Sequence, residues 1–262
     1  MNENEPCGIR NFEEKEKKIV SLTKNALELA YPVYWHGLNL IKDVVNLLIG
    51  DVLDVTCASK NYSQAFLTLI NRSIQHIESI RILVESGLYG DCFVLNRSLM
   101  SDISMIQYLH YHPELLELFL KEGQDDYQKN KDFKKAFNET AIENELVKNG
   151  LTPFGSAFQM LSKASHASSF GAQLYGSKGN KKGVYYMNYG PKFQPEKAIL
   201  LIDLAIGSYY DFINIVLWHR YHAKEEINTD NWEKIKIDLR KLKKEVEIFS
   251  EATIKTVSIM FS

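Results

Sequence analysis

Between Asn61 and Ser86 the chain sets Phe66, Leu69, Ile70, Ile74, Ile77 and Ile80 mostly three and four residues apart. Side chains at that spacing share one face of an α-helix, so the segment predicts a long amphipathic helix. Gly87 stops it, and after the turn Leu88-Tyr-Gly90 a second helical run begins. So short a connection forces the two helices to lie side by side and antiparallel. This helical hairpin is the constraint around which everything else must pack.

Helical signals recur along the rest of the chain. Asn11-Phe-Glu-Glu14 reads as a capping box for a helix reaching about Ala30. Pro32 restarts the chain, and Val33 to Leu48 reads as a second helix ending at Gly50. Pro113 opens a short helix from Glu114 to about Lys121, and Pro153 to Ser165 reads as another. Residues 122–150 are strongly polar and read as solvated helix and loop. Pro195-Glu196 starts a helix running from Ala198 to Tyr221.

The last helix follows Asn228-Thr-Asp230 and carries a seam of Trp232, Ile235, Leu239, Leu242, Val246 and Phe249. That seam is wide enough to pack a neighbour along its length, and a homodimer through this helix is the expected use of it. Gly171 to Pro195 is the least helical part, and its Val-Tyr-Tyr-Met run among glycines suggests a loop or small hairpin over 172–192. The expectation is an all-α, multi-helix bundle of about seven or eight helices, one domain over residues 1–262, interrupted by that insertion.

A net charge of -2 gives no basic footprint for DNA. Cys7, Cys57 and Cys92 follow no zinc or disulfide spacing, which suits a reducing, cytoplasmic setting. The acidic start lacks an apolar segment and does not read as a signal peptide. Ala198 to Trp218 approaches membrane-spanning length, but Asp203 and Asp211 inside it favour a buried central helix. No phosphate loop, dinucleotide fingerprint, nucleophile elbow or His-Glu-x-x-His is present, so neither cofactor nor metal is expected.

Arg97 is the charge most out of place. It lies in Cys92-Phe-Val-Leu-Asn-Arg-Ser-Leu-Met-Ser-Asp-Ile-Ser-Met-Ile, apolar on almost every side. A guanidinium keeps its proton at ordinary pH and must be paired if buried. Its partner is either an acid on a neighbouring helix, the usual case, or an anionic ligand. Ser101 and Ser104 fall on the Arg97 stripe; Asp91, Ser98 and Asp102 fall on another. Arg72 and His76 stand one turn apart on the preceding helix, either on a solvated face or as part of a cationic pocket facing Arg97.

His166 sits among small residues after Ser162, beside the longest loop. It reads either as a cap on helix carbonyls or as an acid, base or donor near neutral pH. His219 with His222 and His110 with His112 lack a third ligand at a recognised spacing, so metal binding is not expected. Lys181 and Lys182 beside Tyr185, Tyr186 and Tyr189 read as a loop covering an apolar edge or as a surface for single-stranded nucleic acid.

Ser79-Ile80, Leu83-Val84, Gly87, Leu95-Asn-Arg97-Ser98-Leu99, Tyr108-Leu109 and Pro113-Glu114 together resemble a family of uncharacterised bacterial helical proteins. That family has an L-x-R-S-L-x-E helix and a downstream S-x-x-x-H block, matched here by Ser162 and His166. The acid its pattern places four residues after the arginine is Ser101 here, with Asp102 beside it. The resemblance implies an all-helical cytosolic protein with a polar Arg/His centre and carries no established reaction.

A looser likeness is to helical ribonucleases of toxin and phage-defence systems, which place an arginine and a histidine on one helix. Arg72 and His76 are the nearest match, at a tighter spacing. The expected function is therefore a helical protein using Arg97, His166, Arg72, His76, Ser101, Asp102 and Ser162 to bind a small anion or a partner, RNA included. The alternative is a metal-independent endoribonuclease.

Overall fold

The computed structural model describes residues 9–30, 32–51, 60–121, 131–150, 155–165, 176–178, 185–187, 194–222, and 233–248 apart from 236 and 246. The architecture is an all-α multi-helix bundle. Its elements are α1 (Ile9–Ala30), α2 (Pro32–Asp51), α3 (Lys60–Glu85), α4 (Tyr89–Tyr111), α5 (Leu116–Leu120), α6 (Lys131–Ala136), α7 (Glu139–Lys148), α8 (Gly155–Ser165) and α9 (Pro195–His222). A further helical stretch covers the described residues between 233 and 248.

The hairpin of α3 and α4 forms as its spacing demands. Ala65, Phe66, Leu69, Ile70, Ile77, Ile80 and Val84 of α3 are buried against Cys92, Phe93, Leu99, Met100, Ile103 and Ile106 of α4 in one core. Gly87 adopts φ +73°, and the turn closes through Gly87 N–H to Val84 C=O (3.1 Å) and Leu88 N–H to Leu83 C=O (2.9 Å). This paired pattern ends a helix with a left-handed residue, which glycine adopts without steric cost.

α4 is the axis of the bundle, packing against α3, α7, α8 and α9. α9 buries Leu201, Ala205, Ile206, Tyr209, Phe212 and Ile213. The buried Ser208 hydroxyl donates to Leu204 C=O at 2.8 Å and lies 3.3 Å from Asn96 Oδ1 on α4. Asn96 Nδ2 in turn donates to Cys92 C=O at 3.0 Å, so the polar pair at the α4–α9 interface is satisfied. Burial pushes the Asp211 carboxyl of α9 up to about 6. No helix among the described residues is long and apolar enough to cross a membrane.

The C-terminal seam is used within the chain. Ile235, Leu239 and Leu242 are buried in the common core, while Ile237 and Ile248 face outward. α2 approaches this helix closely: a Cβ on Gly37 would stand 3.5 Å from Tyr209 and 3.6 Å from Leu242, and His36 Nδ1 lies 2.7 Å from Glu245 Oε2. Trp232, Val246 and Phe249 lie outside the described residues. In the 172–192 insertion, β1 (Gly176–Lys178) pairs antiparallel with β2 (Tyr185–Met187), Ser177 opposite Tyr186.

Within the polar stretch, residues 131–150 form α6 and α7, and both bury apolar side chains. α7 buries Ile142 and Leu146 one turn apart, and Asn138 caps it by accepting from Ala141 N–H at 2.8 Å. This helix supplies one wall of the site described next.

Candidate functional site

Arg97 is not sealed in the core. Its side chain keeps 25% of its exposure, and Nη2 donates to the Glu139 carboxylate at the first position of α7. The guanidinium also lies over the Phe158 ring of α8, 5.2 Å from its centroid. Its buried Nε finds no acceptor among the described residues. Glu139 is 61% exposed, so this pair adds at most about 1 kcal/mol to stability. What it does is position: one cation on α4 holds the start of α7 and the face of a phenyl ring on α8.

A cleft of about 340 Å³ opens between these three helices. Ser101, Ser104 and Met105 line it from α4; Glu139, Thr140, Ile142, Glu143 and Leu146 from α7; Phe158, Gln159 and Ser162 from α8. Phe137, just before α7, completes an apolar floor with Met105, Ile142 and Leu146. Ser101 and Ser104 reach the cleft because they follow Arg97 down one stripe of α4. Arg97 is not one of the described lining residues but touches two of them, Glu139 and Phe158. Among the described residues, the charged side chains that line the cleft are the carboxylates Glu139 and Glu143.

Arg72 and His76 belong to a different place. They converge on Asp102, a fully buried carboxylate on the other stripe of α4. Arg72 Nε donates to Oδ2 at 2.9 Å and Nη2 donates to Oδ1, a bidentate clamp from a side chain that stays 56% exposed. His76 Nε2 is 3.8 Å from Oδ2, an electrostatic contact beyond hydrogen-bond length. Burial pushes the Asp102 carboxyl above its ordinary range, with Arg72 pulling against it. Burial likewise pushes the His76 imidazole down, opposed by Asp102, so it is largely neutral at pH 7. Arg72 thus stands on a solvated face, as one of the two alternatives had it, but is paired there with Asp102, and neither it nor His76 joins Arg97.

The candidate residues therefore divide. Ser101 and Ser162 share the cleft, with Arg97 as its support; Arg72, His76 and Asp102 form a second cluster; His166 lies outside the described residues. Sequence reasoning missed Glu139, Glu143, Phe137 and Phe158. The available signal was Asn138 followed by Ile142 and Leu146, a cap and an i,i+4 apolar pair that mark a packed helix. His112 sits between Glu114 (2.8 Å) and Glu145 (3.7 Å), and no group of metal-ligating side chains occurs among the described residues. Burial pushes the Cys92 thiol far up, which removes it as a nucleophile.

Residues 64–151 match a family of unknown function (DUF5677). The matched segment contains the hairpin stretch on which the family resemblance rests, and it ends before Ser162. Within it lie Arg72, His76, Arg97, Asp102, Glu139 and Glu143; Phe158 and Ser162 fall beyond it. No curated protein and no solved structure matches the chain.

Proposed function

We propose that this chain is a helical binding protein whose site is the cleft between α4, α7 and α8. The observation that carries this reading is the cleft itself. At about 340 Å³ it has the size of a small-molecule site, with an apolar floor and a few convergent polar groups. The described lining residues offer hydroxyls, carboxylates and an amide, a set suited to recognition. A cytoplasmic setting remains part of the proposal on sequence grounds, and a homodimer through the C-terminal helix would use its outward face at Ile237 and Ile248, since Ile235, Leu239 and Leu242 are taken up by the core.

The test is an amide NMR titration of the full chain with aromatic fragments of neutral, cationic and anionic type. Ser104→Trp, which fills the cleft from α4, serves as the control. Shifts are expected at Ser101, Thr140 and Gln159 in the wild type and not in the variant. Shifts that fall elsewhere, or that persist in the variant, remove the cleft as the site.

The Arg72–Asp102–His76 cluster supports a second reading, a metal-independent endoribonuclease. A neutral imidazole beside a carboxylate is a candidate general base, and an exposed arginine is a candidate phosphate contact. Against it, two Arg72 donors are committed to Asp102. RNA cleavage by the wild type that falls in both His76→Ala and Arg72→Ala supports the enzyme. Equal background in all three, and in His166→Ala, eliminates it.

A further inference from the structure

The cleft's charge and its floor point in one direction, and the inference rests on the cleft being a ligand site. Glu139 and Glu143 stand four residues apart on α7, share one helix face, and both line the cleft. Like charges at that spacing repel, and a cation placed between them relieves the repulsion. Arg97 meets this need on the Glu139 side only. Among the described residues no ion pair reaches Glu143, which leaves the cleft with one uncompensated negative charge.

The surroundings define the rest of the ligand. Ser101, Ser104 and Thr140 offer hydroxyl acceptors near the carboxylates, suited to the several N–H donors of an ammonium group. The floor offers only phenyl, thioether and aliphatic surface. We propose that the cleft takes a small amphiphilic organic cation, its ammonium head at Glu143 and its apolar body on the floor. Among the described residues an anion would meet two carboxylates and no lining cation, since Arg97 is engaged by Glu139 and does not itself line the cleft.

Three probes with the same phenylethyl body and different charge decide this: 2-phenylethylammonium, 2-phenylethanol and 3-phenylpropionate. Each is titrated into the full chain, wild type and Glu143→Gln, with amide shifts locating the site. Glu143 is exposed, so the glutamine variant removes charge without disturbing the core. The ammonium is expected to bind about fivefold tighter than the alcohol, the effect of one charge pair near water, and Glu143→Gln is expected to bring the two together. Equal binding of ammonium and alcohol in the wild type, or tightest binding of the carboxylate, overturns the cation and leaves the cleft standing. Failure of all three to shift cleft residues overturns the cation and the cleft together.

Discussion

Asp211→Asn isolates the free-energy cost of a carboxylate in α9. Asp211 sits on α9 between Tyr210 and the fully buried Phe212, and burial holds its carboxyl at about 6 against an ordinary value of 3.8. The folded state therefore prefers the protonated acid. Below about pH 4 the acid is protonated whether the chain is folded or not, and it costs nothing. Between pH 4 and pH 6 the unfolded chain ionises first, and folding loses stability as pH rises. Above pH 6 the whole difference is felt. At about 1.4 kcal/mol per pH unit it amounts to about 3 kcal/mol. Asparagine carries no charge to desolvate, so the variant escapes this loss. Urea denaturation of both proteins at pH 4, 5, 6 and 7.5 gives the test. The stability of the variant relative to wild type should rise by about 2–3 kcal/mol between pH 4 and pH 7.5, whatever constant offset the amide introduces. A difference that stays flat with pH, or shrinks as pH rises, refutes the claim that Asp211 is desolvated in the fold.

Two further substitutions test the hairpin. Arg72→Ala leaves Asp102 buried without its clamp and should cost about 2–3 kcal/mol at pH 7, measured by urea denaturation; the loss should be smaller at pH 4, where the raised carboxyl takes a proton more readily. Gly87→Ala forces a Cβ into a left-handed turn at φ +73° and should lower stability by about 1–2 kcal/mol, with the α4 contacts unchanged by NMR.

What the sequence discloses and what it hides follow from range. Helix spacing, caps and the stop at Gly87 are local, so α3, α4 and the turn between them are legible directly. The Arg72–Asp102 clamp was also within reach. The two residues are thirty apart in sequence and lie symmetrically about Gly87, which in an antiparallel hairpin sets them opposite each other. Arg97 shows the limit. Its apolar neighbours suggest burial, yet its own stripe emerges between α7 and α8, and its acid arrives from a segment forty-two residues away. Nothing local to Arg97 specifies that meeting, because it depends on how α7 docks. The polar composition of 122–150 concealed α7 further, since two buried apolar residues suffice to dock a ten-residue helix.

The boundary of the family match at residue 151 divides the cleft between two kinds of sequence. The supporting arginine, both glutamates, the α4 hydroxyls and the whole apolar floor lie inside it; the Phe158 and Ser162 wall lies outside. The charge frame and the facing wall thus come from separate stretches of sequence. Substitutions in α8 alter the shape of the cleft without replacing Arg97, Glu139 or Glu143, so shape and charge are separable along the sequence.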